Sequence, residues 1–288
     1  MSSILLRNNY GKSNVRILKV NRNDMMHEIR ELSVSIQLEG DFESVHFAGD
    51  NSSVLPTDTM KNTVYCLAKE HPVDSAEEFA KHLAGYFLDN NKQVTKATIE
   101  TDEKLWIRIP FKDKNTGEIN LHTHSFVSAG NERRTAKISN DRKNVIVQSG
   151  IKDLLVLKTT GSGFEKYIKD KYTTLKETGD RVFSTSVEAV WSYANRDVNY
   201  ARVTDEVRRI ILEIFSHHHS LSVQQTLYEI GKNVIDEIEE VDEISLSLPN
   251  KHYLLFNLEQ FQMDNRNEIF IPTDEPFGLI EGTVKRST

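Results

Sequence analysis

The chain has 288 residues, 38% of them hydrophobic and 27% charged, which is a water-soluble balance with ample material for a buried core. Its net charge of -7 argues against a nucleic-acid backbone or an anionic membrane as the main partner, since both select an excess of Lys and Arg on one face. The single cysteine, Cys66, rules out an intrachain disulfide and leaves no second thiol for a zinc or redox motif; its apolar setting reads as core. No run approaches the roughly 18 apolar residues of a membrane span, and the N-terminus lacks a basic-then-apolar leader. The chain reads as cytoplasmic.

Residues 12 to 40 read as a hairpin, because Leu32, Val34, Ile36 and Leu38 alternate strictly with polar neighbours in its second arm. After Pro56, a helical run places Met60, Val64, Leu67 and Ala68 on one side, with Thr57 or Asp58 as its expected N-cap. Ser75 and Glu78 form a capping box opening a second helix with Phe79, Leu83, Tyr86 and Phe87 at helical spacing. Strands are expected at 96–109 and 119–127, then at 143–148 and 154–158, with more β-rich sequence at 181–193. Thr204 is the expected cap of a helix carrying Val207, Ile210, Ile211, Ile214 and Phe215. Ser222 and Gln225 form a capping box for another, with Val223, Leu227, Ile230, Val234 and Ile238 on its apolar side. Strands from Ile244 and Tyr253 close the series. The order of hairpin, two helices and hairpin occurs twice, so the chain divides into two similar halves, 1–142 and 143–288. The fold class is α+β with antiparallel sheets.

Each chemical candidate has an ordinary reading beside it. In Leu248-Pro249-Asn250-Lys251-His252-Tyr253, Pro249 is expected to end the preceding strand, and alternation turns Asn250 and His252 to one face. An amide and an imidazole there can present a donor, an acceptor and a titratable group to one ligand, although such pairs are usually satisfied strand edges. His122-Thr123-His124 raises a metal, but no third ligand stands at convincing spacing. His217-His218-His219 suits the end of a helix. Val223 and Gln224 fall in a helix's first turn, where unpaired N–H groups suit an anion or a carbonyl. The guanidinium fork of Arg181 can grip a planar anion at two points, and Phe164 can stack on a flat ring.

The ordered strings Tyr10-Gly11-Lys12, Thr57-Asp58-Thr59 with Lys61-Asn62-Thr63, His122-Thr123-His124-Ser125-Phe126, Tyr172 to Thr178 and Leu248 to His252 resemble urate oxidase, in its cofactor-free bacterial form. The resemblance runs from about residue 10 to 286. It implies tandem tunnelling-fold (T-fold) repeats, antiparallel sheets with helices on one face, and a homotetramer whose sheets close into a barrel. It implies conversion of urate, dioxygen and water to 5-hydroxyisourate and hydrogen peroxide in purine catabolism, without cofactor or bound metal. In the resemblance, Phe164 stacks on the purine, Arg181 and Gln224 grip its edges, and the Val223 N–H adds a bond. Thr57 and Asp58 complete the binding set. Asn250 and Thr57 serve the oxygen or water site, and Lys12, Thr57 and His252 match the proton relay. Lys12 and Thr57 are expected to reach the site from a neighbouring subunit. Pro56 departs from the family pattern, where a small residue is expected, and Glu165 has no clear counterpart. The alternatives are a pterin- or purine-processing T-fold enzyme with a histidine-bound zinc, and a non-catalytic purine-binding ring.

Overall fold

Residues 3–22, 26–194 and 197–287 are described by the computed structural model. The chain forms two compact units, Met1–Gly150 and Ile151–Thr288. The division falls within a strand; the sequence reading put the join just before that strand, at 142/143.

In the first unit, β1 (Tyr10–Asn21) and β2 (Glu28–Gly40) form the expected hairpin, part of whose turn lies outside the described residues. Three helices follow, α1 (Glu43–Ala48), α2 (Thr57–Glu70) and α3 (Ala76–Asn90), and then β3 (Val94–Lys112) and β4 (Ile119–Asn140). The sheet order is β1-β2-β3-β4, antiparallel throughout. Strict alternation explains β2: Leu32, Val34, Ile36 and Leu38 are buried against the helices, each side chain of this size contributing about 1.5–3 kcal/mol. Met60, Val64, Leu67 and Ala68 of α2 and Phe79, Leu83 and Phe87 of α3 complete that core. Cys66 is exposed, because it sits two positions from Val64 and so falls off the buried stripe of α2. Ser75 caps α3, its hydroxyl accepting the Glu78 N–H at 3.0 Å.

The second element series runs β5 (Val145–Lys158), β6 (Phe183–Tyr193), α4 (Tyr200–His217), α5 (Val223–Glu237), β7 (Val241–Leu255) and β8 (Phe270–Lys285). In the second unit Val187, Ala189 and Trp191 of β6 and Ile244, Leu246 and Leu248 of β7 pack with Val207, Ile210 and Ile211 of α4 and Ile230 and Val234 of α5. Several expectations are corrected. β5 is one strand where two short ones were expected. Asn199 caps α4, accepting the Arg202 N–H at 3.1 Å, whereas Thr204 is a buried residue within the helix. Pro249 does not end its strand. It pairs with Leu279 on β8, while the β6 ladder is open opposite Pro249 and Leu248 and resumes at Thr185 and Asn250. The missing proline N–H therefore falls where no donor is needed. The runs from Ile244 and Tyr253 are thus one strand, and β8 is its partner.

Candidate functional site

The second unit builds its corner from backbone bonds between distant loops. Gly163 N–H donates to Ser220 O at 2.8 Å, and Ser220 N–H donates to Gly161 O at 2.9 Å, so the Phe164 loop is laced to the segment that enters α5. Gly161 adopts φ +73°, a left-handed conformation that favours glycine. Phe164 pairs with Thr178 through N–H to O bonds of 2.8 and 3.2 Å, and Arg181 N–H donates to Ser162 O at 2.7 Å. Asp180 locks the base of the loop, accepting from the Thr160 hydroxyl at 2.8 Å and the Gly161 N–H at 2.9 Å. Those bonds, led by Thr160, hold its carboxyl below the usual carboxylate range.

The side chains converge as a result. The Arg181 guanidinium lies 5.6 Å from the centre of the Phe164 ring. Burial lowers the Arg181 pKa, and its Nε is buried without a partner among the described residues. A desolvated cation with spare donor capacity is a receptor for an anion. Tyr167 stacks on Phe164 at 4.9 Å and 12°, tethered by its hydroxyl to Leu175 O at 2.6 Å. At the start of α5, Ser222 accepts the Gln225 N–H as expected, while the Gln225 side chain reaches one residue past the cap and accepts the Leu221 N–H. Val223 and Gln224 occupy the first turn, where N–H groups precede the intrahelical ladder; Val223 is buried and the Gln224 side chain is exposed. Asn250 stands on β7 opposite Thr185, four residues beyond Arg181. His252 lies two positions further along β7; their partners on β8 are Gly278 and Thr273, so the extra residues of the register shift there are carried by β8.

The first unit holds the remaining residues. Lys12 lies on β1 opposite Ile36, and a bulge between Lys12 and Val15 follows it. Thr57 is the first residue of α2 and Pro56, not Thr57 or Asp58, is the N-cap, with φ -56° and ψ 137°. Proline fits there because its fixed φ suits the position and the helix asks no N–H of it. Thr57 is thereby relieved of capping; among the described residues neither its hydroxyl nor the Lys12 Nζ is held by a hydrogen bond. Asp58 accepts from Lys61 and, at 3.2 Å, from Asn62. The Lys61 bond is the main cause of its lowered pKa, and the Lys12 charge adds a smaller pull.

The histidine pair on β4 has its rings 4.5 Å apart, with His27 5.8 Å from His124. Among the described residues no group of three His, Cys, Asp or Glu side chains is placed to hold a metal ion. Asp180, Ser220 and Tyr167 were missed by sequence reasoning. Only Asp180 had a signal, as an acid directly beside Arg181 after a glycine.

An aromatic ring, a partly buried arginine beside it and the first-turn N–H groups of Val223 and Gln224 have the chemistry to receive a flat anion. Comparison with known proteins narrows this class. The uricase family model matches residues 8–139 and 147–281. The chain is 44% identical over 283 residues to uricase of Arthrobacter globiformis, covering 98% of this chain and 90% of the relative. It is 41% identical over 285 residues to uricase of Dictyostelium discoideum, covering 98% of each. The crystal structure of the Arthrobacter globiformis uricase superposes with a TM-score of 0.93 at 43% identity, covering 99% of this chain and 96% of that one. A urate oxidase from Bacillus sp. TB-90 shares the fold, with a TM-score of 0.85 at 21% identity over 97% of this chain and 100% of that chain. The chain belongs to the uricase family and has its α+β T-fold.

Proposed function

We propose that this chain is a urate oxidase that converts urate, dioxygen and water to 5-hydroxyisourate and hydrogen peroxide, and that it does so with its own residues alone. The observation that carries the reading is the desolvated Arg181 held against the Phe164 ring beside the open first turn of α5, in a chain of the uricase family. Urate is a flat, electron-rich anion of matching form. Phe164 stacks on it, Arg181 and the Gln224 amide hold opposite edges, and the Val223 N–H takes a further oxygen. Removing a second proton raises the energy of the bound purine enough for it to pass an electron to dioxygen, so deprotonation and orientation are the protein's contribution. Asn250 and Thr57 flank the oxygen or water position. Thr57, whose hydroxyl can donate and accept at once, links that position to Lys12, while His252 orients or recharges the amine.

Lys12, Thr57 and Asp58 come from a neighbouring chain in this reading, and the working form is a homotetramer in which the sheets close into a barrel. Each of the two element series is one T-fold repeat. The enzyme works in the cytoplasm; no helix among the described residues is long and apolar enough to cross a membrane. The test is the loss of urate absorbance together with oxygen uptake by chelator-treated protein. Undiminished turnover is expected. Activity abolished by the chelator and restored by zinc or copper would overturn the cofactor-free reaction.

A further inference from the structure

The first strand and the loop before α2 are joined by one side chain to which no role has yet been given. The Leu55 N–H donates to the Tyr10 hydroxyl at 2.9 Å. Tyr10 stands two residues before Lys12, and Leu55 two residues before Thr57. Because Pro56 has no N–H, the Leu55 N–H is the last backbone donor before Thr57, and Tyr10 takes it. The phenol ring is not free to follow a moving loop. It sits edge-on to Phe42, 4.8 Å between ring centres, and packs against the buried core of the first unit. The strand side is equally fixed. A Cβ on Gly11 would lie 1.7 Å from Ile36 O, so β1 meets β2 at this point more closely than any other residue allows. Burial raises the phenol's pKa and keeps it uncharged, as suits a fixed acceptor.

We propose that Tyr10 is a positioning residue for proton transfer, setting the placement of Thr57 relative to Lys12 through its bond to Leu55 without touching the substrate. The inference rests on the assignment of Lys12 and Thr57 as the relay. Proton transfer between two groups tolerates little displacement, whereas stacking and gripping by the second unit's residues do not depend on this bond. The signature is therefore a loss in kcat without a matching change in KM.

The experiment is a kinetic cycle on the full-length enzyme with Tyr10→Phe, Lys12→Met and the double variant, with melting temperatures recorded for each. Phenylalanine keeps the ring against Phe42 and removes only the acceptor. Expected is a drop in kcat of roughly tenfold or more for Tyr10→Phe, with KM for urate within about twofold. Adding Tyr10→Phe to Lys12→Met should cost little further, because the relay it positions is already broken. Tyr10→Phe with wild-type kcat, a loss confined to KM, or a loss fully multiplicative with that of Lys12→Met would overturn the positioning role while leaving the relay intact. A Lys12→Met enzyme with unchanged kcat would remove the relay itself, and the role of Tyr10 with it. A Tyr10→Phe chain that fails to fold is separated by its melting temperature, and Tyr10→His, which can still offer an acceptor, should then recover kcat above a Tyr10→Leu chain if the bond matters.

Discussion

The corner of the first unit that carries Lys12 and Thr57 and the corner of the second that carries Phe164 and Arg181 both lie where a strand approaches the start of a helix, yet they are finished in opposite ways. In the second unit the helix start is capped by Ser222, laced to the Phe164 loop through Ser220, and faced by an arginine with a desolvated charge. In the first unit the helix start is capped by a proline that offers no side-chain bond, and no hydrogen bond among the described residues holds the Lys12 amine or the Thr57 hydroxyl. In the proposed function, one corner holds the flat anion and the other moves protons. In that reading, backbone bonds between distant loops serve orientation, and polar side chains without a hydrogen bond serve proton transfer.

Removing the grip should have the largest effect. Arg181→Gln leaves the loop bonds of the Arg181 backbone in place but deletes the charge that answers urate, so kcat/KM should fall roughly 10²–10³-fold, the range for deleting one partner of a charge-assisted pair. The loss should appear mainly in KM. A variant that keeps KM and loses kcat would assign Arg181 to chemistry and blur the contrast.

Breaking the proton path should come next and look different. Lys12→Met and Thr57→Ala should each lower kcat by roughly 10²-fold with modest change in KM, and the double variant should fall well short of the product of the two. A large rise in KM with kcat unchanged would make Lys12 an electrostatic anchor.

The smallest effect concerns acid. His218 follows α4 and lies two residues from Ser220; the Lys158 ammonium donates to its carbonyl at 2.6 Å. Burial first, then the Lys158 charge, lower the His218 pKa, against a smaller opposing pull from Glu229. A depressed histidine is neutral in the folded state and takes its proton on unfolding. Its contribution is therefore present above about 6.5, the unfolded value, and is lost as pH falls through the folded one. Melting of the wild type should decline on acidification below about 6.5, and His218→Gln should flatten that decline. A steeper decline in the variant would reverse the sign.

Much of this was legible in the residues because it is local. The Ser222 and Ser75 caps, the buried stripes of α2 to α5 and the alternation in β2 depend on spacings of a few residues, and they form, except that Tyr86 of the expected α3 stripe is exposed. What failed to show depends on partners far away in sequence. The Gly163 to Ser220 and Tyr10 to Leu55 bonds leave no pattern in either segment. Pro249 was expected to end a strand because its neighbours are visible and the gap in the β6 ladder is not. β8 was missed for the related reason that β7 looked like two strands. Thr204 carries the chemistry of a cap but lies inside α4, since Asn199 bonds the first turn instead.

A mixing experiment tests most directly that the two corners must come from different chains to make one working site. Chains carrying Lys12→Met and chains carrying Arg181→Ala are unfolded together, refolded at equal amounts and assayed for urate oxidation at a urate concentration where each alone turns over little. If neighbouring subunits share the site, each mixed pair holds one site with both wild-type residues, and roughly a quarter of wild-type activity should return. Assembled mixed oligomers that recover no activity would contradict the shared site.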